Sequence, residues 1–194
     1  MTKGWTPIAL SRDVPAGTTR SVIVDGAELV IWRGDGAAHV WEDRCPHRGM
    51  RLSLGFVRDN VLNCLYHGWQ YGASSSCIRI PAHPDLAVSP TIKANACEAT
   101  EAGGLVWVRL GGTEPLPALD QNVAPVLSLA VEVDGLDGSN LAMPFEGGQL
   151  HLRWHKVGPG RIMVHAVMAG TADIGRAAAY LRSMRNDMEQ GAAA

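Results

Sequence analysis

The chain has 194 residues, a net charge of −2 at pH 7, 46% apolar and 19% charged residues. That composition suits a globular protein with a sizeable core. It lacks the basic surplus of a nucleic-acid binder or of a protein held on an anionic membrane. No stretch approaches the roughly 18 apolar residues of a membrane-spanning helix, and the opening "MTKGWTPIAL" is too short and polar for a signal peptide. A cytoplasmic location is the expectation, with neither nucleic acid nor membrane as partner. Four cysteines, Cys45, Cys64, Cys77 and Cys97, are few for a disulfide framework. In a reducing compartment, clustered Cys and His are more often metal ligands.

In chain order, the first 110 residues read as many short strands. "RSVIVDG" at 20–26 and "ELVIWRGDG" at 28–36 are β-rich and close on glycine turns. "AHVWEDR", "VLNCLYHG" and "CIRIPA" continue the pattern. "TIKANACEAT" and "GLVWVRLGG" form an expected hairpin around residues 101–104. Short strands so closely spaced predict a small antiparallel sandwich or barrel. "GGTEPLPALDQN" at 111–122 is rich in Gly and Pro and aperiodic, which marks a linker over 113–122.

The segment 123–194 reads as a small α+β region, strands followed by a C-terminal helix. "PVLSLAVEVDG" is a strand ending in a turn. "QLHLRWHKVGPGRIMVHAVMAG" is a hairpin with Gly158-Pro159-Gly160 as its loop. "TADIGRAAAYLRSMRNDMEQ" is helical, with Thr171 or Asp173 as N-cap. Ile174, Ala177, Ala178, Leu181, Met184 and Met188 fall near one helical face. The final "GAAA" is expected to fray. The fold class expected for the whole chain is mainly β.

The chemistry concentrates in "CPHRGMRLSLGFVRDNVLNCLYHGW" at 45–69. Cys45 and His47 are separated by one residue, Cys64 and His67 by two, and each pair lies beside a glycine. Three readings compete: core packing, zinc, and an iron–sulfur cluster. Familiar zinc frameworks pair Cys with Cys and His with His, whereas each cluster here supplies one of each. A Rieske [2Fe–2S] centre needs two Cys on one iron and two His on the other, and two loops of this composition provide that.

The pattern Cys-x-His, sixteen residues, Cys-x2-His resembles the Rieske family at all four ligand positions. The resemblance covers roughly residues 5–112 and implies a Rieske antiparallel β-sandwich over 1–112. Cys45 and Cys64 would hold one iron, His47 and His67 the other. The flanks "CPHRG", "YHGW", "IRIPAHPDL" and "GLVWVRLGG" look like the domain found in ring-hydroxylating and demethylating oxygenases. Respiratory members carry an additional disulfide and a serine after the second His-Gly. Met50, Tyr66 and Trp69 occupy those places here, which implies a potential at the low end of the Rieske range. Arg48 and Trp69, beside ligands, are candidates for supporting the cluster or docking a partner. Cys77 and Cys97 read as buried small apolar residues.

Oxygenases of this type carry a second, larger helix-grip domain with a mononuclear iron on two His and a carboxylate. Residues 123–194 resemble only part of such a domain. His151, His155 and His165 are the candidate ligands there. His151 and His155 alternate with apolar residues as a strand does, and strand residues four apart lie about 13 Å apart. The expectation is therefore solvent-facing strand histidines, though each could approach His165 across the hairpin. Glu146, Asp173 and Asp187 read as a turn residue, a helix cap and a helix-face charge. A mononuclear iron is thus possible but unsupported. The function expected is single-electron transfer from a reductase to an oxygenase iron on another polypeptide. Alternatives are the Rieske-bearing subunit of a split oxygenase, a compact oxygenase acting on a small organic substrate with O2, and a redox or iron sensor.

Overall fold

The computed structural model describes residues 4–133 and 139–191. The turn expected at 134–135 and the tail at 192–194 lie outside them. By internal packing the chain divides into two compact units: Val14–Ile23 with Ala27–Thr100, and Met1–Asp13, Val24–Gly26 with Glu101–Ala194.

The first of these units holds the short strands. β2 (Thr18–Val24), β3 (Ala27–Arg33) and β4 (Ala38–Glu42) form one three-stranded sheet. β5 (Phe56–Arg58), β6 (Val61–Asn63), β7 (Gln70–Tyr71) and β8 (Cys77–Arg79) form a four-stranded one. Every strand in this second sheet is three residues or shorter, because turns and the two cysteine loops interrupt it. Between the sheets Val30, Trp32, Trp41, Leu52, Leu62 and Tyr71 bury completely or nearly so, and Cys45, Cys64 and Cys77 join the same apolar cluster. The expected run at 91–100 is only partly strand. Residues 91–97 make two isolated bridges, Ser76 to Lys93 and Trp41 to Ala96. Regular pairing begins at β9 (Glu98–Ala102).

The second unit is layered. β1 (Trp5–Leu10) and β10 (Leu105–Arg109) pair antiparallel, with a bulge between Pro7 and Ala9, and β9 lies beyond β10. The expected β9–β10 hairpin is present, with Gly103 and Gly104 in its turn. The segment 113–120 has no regular structure. β11 (Val123–Glu132), β14 (Arg161–Gly170), β13 (Gly148–Gly158) and β12 (Asn140–Phe145) then form an antiparallel sheet in that spatial order.

Period-2 alternation splits β13 between the two faces of that sheet. Leu150, Leu152 and Trp154 turn to α1 (Ile174–Gly191) and pack with Ala177, Ala178 and Leu181. Ile174, Met184 and Met188 flank them, as the helical spacing predicts. Asp173 is the N-cap: its Oδ1 accepts from the Arg176 N–H at 3.0 Å. The opposite face is covered too. Leu10, Leu105 and Trp107 pack on Val167, and the Arg153 guanidinium lies 5.9 Å from the Trp107 ring centre. β1 and β12 were not anticipated. Each is an edge strand containing a proline, Pro7 or Pro144, which weakens the strand signature.

Candidate metal centre

Two loops carry the motif residues, and their backbones repeat one scheme. In the first, Cys45 N–H donates to the Met50 carbonyl at 2.7 Å, and Gly49 N–H donates to the Cys45 carbonyl at 2.8 Å. In the second, Cys64 N–H donates to the Trp69 carbonyl at 2.9 Å, and Gly68 N–H to the Cys64 carbonyl at 3.0 Å. The fourth residue after each cysteine is a glycine in the left-handed region, φ +72° at Gly49 and +68° at Gly68. A Cβ there would be strained, and at Gly68 it would also press on Pro81 at 3.2 Å. The glycines beside each Cys–His pair are therefore what lets the loops turn.

Both cysteines are buried free thiols, and they hydrogen-bond each other. The Cys45 thiol is pulled down to about 5, first by the Cys64 contact. Burial opposes this, and the Tyr71 hydroxyl and the backbone N–H groups of His47 and Arg48 reinforce it. Cys64 is pushed up, first by Cys45 and then by burial, while the N–H groups of Tyr66 and His67 act to lower it. Tyr71 Oη lies 3.1 Å from Cys45 Sγ, and Tyr71 as a donor is itself held protonated by its burial and by Cys45. Four amides and one phenol therefore point at two sulfurs. Such donors stabilise negative sulfur, the state in which cysteine binds metal.

The imidazoles lie outward of the thiols. His47 is half-buried and His67 exposed, with ring centres 4.8 Å apart. Trp69 stacks on His47 at 4.2 Å with planes 6° apart, and Tyr66 lies 3.8 Å from His67. Among the described residues no three of His, Cys, Asp or Glu are placed to share one metal ion. The four loop residues are therefore not gathered as a single tetrahedral zinc requires. Two buried sulfurs backed by N–H donors, with two imidazoles outward, fit a two-iron cluster ligated by Cys on one iron and His on the other.

Comparison with known proteins agrees. Residues 4–90 match the family described as Rieske [2Fe-2S] domain. The chain carries a Rieske [2Fe–2S] domain, and such domains bind a [2Fe–2S] cluster. Over 120 residues, 60% of this chain and 20% of that protein, it is 40% identical to the oxidoreductase NdmD of Pseudomonas putida. Over 122 residues, 61% of this chain and 28% of that protein, it is 34% identical to the 3-chlorobenzoate-3,4-dioxygenase oxygenase subunit of Comamonas testosteroni. The chain spans only 20% to 28% of the length of these curated relatives. Among solved structures, Pseudomonas putida CBB5 NdmA superposes with a TM-score of 0.69 at 21% identity, covering 95% of this chain and 77% of that one. Apo dicamba monooxygenase gives 0.74 at 15% identity, covering 98% and 86%. At these identities the likeness shows a shared fold. No helix among the described residues is long and apolar enough to cross a membrane.

Two expectations need correction. His155 and His165 do not face solvent: both are buried. Their rings stack with centres 5.3 Å apart. His155 Nδ1 lies 2.8 Å from the Pro7 carbonyl, His165 Nδ1 2.8 Å from Ser128 Oγ, and Ser128 Oγ 3.3 Å from Asp13 Oδ2. The cause is β1, which covers the face of β13 and β14 that the alternation alone left open. His151 lies apart from the pair, half-buried near Leu119, Asp120 and Val123. Cys97 is only half-buried, while Cys77 is buried as expected. The sequence reading missed Tyr71, whose only signal is a tyrosine two residues past the second loop.

Proposed function

We propose that Cys45 and Cys64 hold one iron of the cluster and His47 and His67 the other. On this reading the chain is an electron carrier between a reductase and an oxygenase iron on another polypeptide. The observation that supports it best is the paired loop geometry, with the thiols buried against N–H donors and the imidazoles at the surface. When bound, the cluster takes up and gives back one electron. The chain's own residues do the rest. The amides after each cysteine and the Tyr71 hydroxyl balance charge on the sulfurs. Trp69 fixes the His47 ring by stacking, and the two histidines form the outward edge from which an electron leaves. On this reading the chain works in a reducing, cytoplasmic setting.

A second reading has one specific observation behind it. The fold likeness to NdmA and dicamba monooxygenase extends over nearly the whole chain, which supports reading it as a Rieske oxygenase with its own catalytic iron, acting on a small organic substrate. Iron and acid-labile sulfide per chain, on protein purified without air or chelator, separate the two. Two irons and two sulfides, with the low-temperature spin-resonance signal of a reduced Rieske centre, support the carrier. A third iron would overturn it in favour of the oxygenase.

A further inference from the structure

In β3 and β4, side chains two apart share a face, and the register sets Trp32 opposite His39 and Trp41 opposite Val30. Three rings therefore line up on one face. The Trp32 and His39 rings stack, with centres 4.5 Å apart. Trp41 meets Trp32 edge-on at 5.0 Å. On its other side Trp41 meets Tyr71 edge-on at 6.4 Å, and Tyr71 Oη lies 3.1 Å from Cys45 Sγ. A row of π systems thus joins a buried sulfur to a half-buried ring, all within one compact unit. Trp32 is 0% and Trp41 1% exposed. Aromatic packing accounts for the contacts, but not for one atom. The buried Trp32 Nε1 has no hydrogen-bond partner among the described residues. Burying a donor unpaired costs stability, and a phenylalanine would pack there without that cost. His39 brings no charge to this ring: burial first, then Arg33, lowers its pKa, so it is neutral near physiological pH.

We propose that the row Tyr71–Trp41–Trp32–His39 drains oxidising equivalents away from the cluster toward solvent, where a thiol quenches them. The route rests on the reading that Cys45 holds an iron. Indoles and phenols are among the side chains most readily oxidised by one electron, and tunnelling between rings in contact is fast. The oxidant is a peroxide that meets the reduced cluster. It takes one electron there, which cleaves its O–O bond into hydroxide and a hydroxyl radical. The second electron, which turns that radical into hydroxide, comes from Trp41 through the Tyr71 ring. Trp32 refills Trp41, and a solvent thiolate refills Trp32 past His39. The thiyl radicals so formed couple in pairs to a disulfide. Within the protein no bond forms or breaks and no proton moves. Tyr71 keeps its proton in the hydrogen bond to sulfur, and Trp32 Nε1–H faces no base that could take its own. The oxidised indole therefore stays a radical cation and draws its electron from the thiolate without waiting for a proton. Trp69 and Tyr66 touch the two outer histidines, so oxidation there would leave the damage beside the cluster.

The test uses the cluster-loaded full chain, reduced, freed of excess reductant and mixed with hydrogen peroxide in air. A tryptophan radical left unrepaired adds oxygen, and mass spectrometry locates the kynurenine product. Solvent oxidants do not reach Trp32 or Trp41 directly, because both are buried, so product there reports transfer from within. Without thiol, the expected product is kynurenine at Trp32, absent from the iron-free chain. Glutathione should suppress it and lengthen the life of the cluster's visible absorption several-fold. In Trp32→Phe and Trp41→Phe that protection should be lost, while Trp5→Phe, outside the row, keeps it. Unmodified Trp32 in the wild-type chain, with the damage at Trp69 or the cysteines, would overturn the route, and that measurement needs no variant to fold. Equal protection by glutathione in loaded Trp32→Phe would overturn it too. A wild-type chain without two irons would instead overturn the reading of Cys45 as a ligand, and the route with it.

Discussion

The molecule holds two pairs of histidines with opposite surroundings. His47 and His67 stand at a surface, backed by two buried thiols and braced by Trp69 and Tyr66. His155 and His165 lie inside a layered unit, with ring nitrogens facing the Pro7 carbonyl, Ser128 and each other. The ring separations are similar, 4.8 and 5.3 Å, so distance does not distinguish them. Chemistry does. Pro7's carbonyl can only accept, so His155 Nδ1 carries the proton. Asp13 accepts from Ser128, whose oxygen then accepts from His165 Nδ1–H. Those nitrogens are committed to tying β1 to the sheet and to bonding Ser128 on the neighbouring strand β11. The outer pair meets only the rings of Trp69, Tyr66 and each other among the described contacts, and has soft sulfur donors behind it. A pair of histidines becomes a metal site or a structural clamp according to what fills its second layer.

Breaking each pair should therefore have different consequences. The largest effect is expected from Cys45→Ser or Cys64→Ser, which should abolish iron and sulfide together, because one thiolate cannot hold an iron at that end of the cluster. His47→Ala and His67→Ala should do nearly the same. His155→Leu and His165→Leu should leave two irons and the cluster's visible spectrum intact. Iron and sulfide assays on all six proteins decide the matter. Loss of iron from the His155 or His165 variant would make the inner pair part of a metal site.

How far the sequence foretold this follows from where the partners lie along the chain. Cys45, His47, Cys64 and His67, the proposed ligands, stand out in the sequence because each Cys–His pair is local and a ligand set constrains spacing tightly. The C-terminal helix was equally legible: Asp173 and the Ala177, Leu181, Met184 face repeat at helical period. What escaped was non-local. Tyr71 reaches Cys45 across the sheet, and nothing in "WQYG" announces a bond to sulfur. The burial of His155 and His165 depends on β1, about 150 residues upstream, whose Pro7 disguises it as a loop. Period-2 alternation names two faces of a strand but not what covers each.

Next in size is stability. His165→Leu removes the partner of Ser128 and opposes an apolar side chain to a polar cluster, while His155→Leu leaves the Pro7 carbonyl without its donor. Stranding a buried polar group costs about 1–3 kcal/mol, so urea unfolding of either variant should show a loss in that range. Equal substitution at exposed His67 should cost the cluster-free protein far less. An unchanged midpoint for His155→Leu would mean that the inner pair does not clamp β1.

The smallest effects sharpen the contrast most, because each pair is served by one hydroxyl. Tyr71 donates to Cys45 Sγ at 3.1 Å, and Ser128 meets His165 Nδ1 at 2.8 Å. The reduced cluster carries one more negative charge than the oxidised one, so a donor at sulfur favours reduction. Tyr71→Phe keeps the ring in the core and deletes only the donor. It should lower the midpoint potential, and a differential of about 1 kcal/mol corresponds to roughly 40 mV for one electron. Ser128→Ala should leave the potential where it is and cost roughly 1 kcal/mol of stability. Voltammetry and unfolding on both proteins give a two-by-two result. If Ser128→Ala moved the potential as much as Tyr71→Phe, the inner histidines would be electrostatically coupled to the cluster, and the contrast between a redox pair and a clamp would fail.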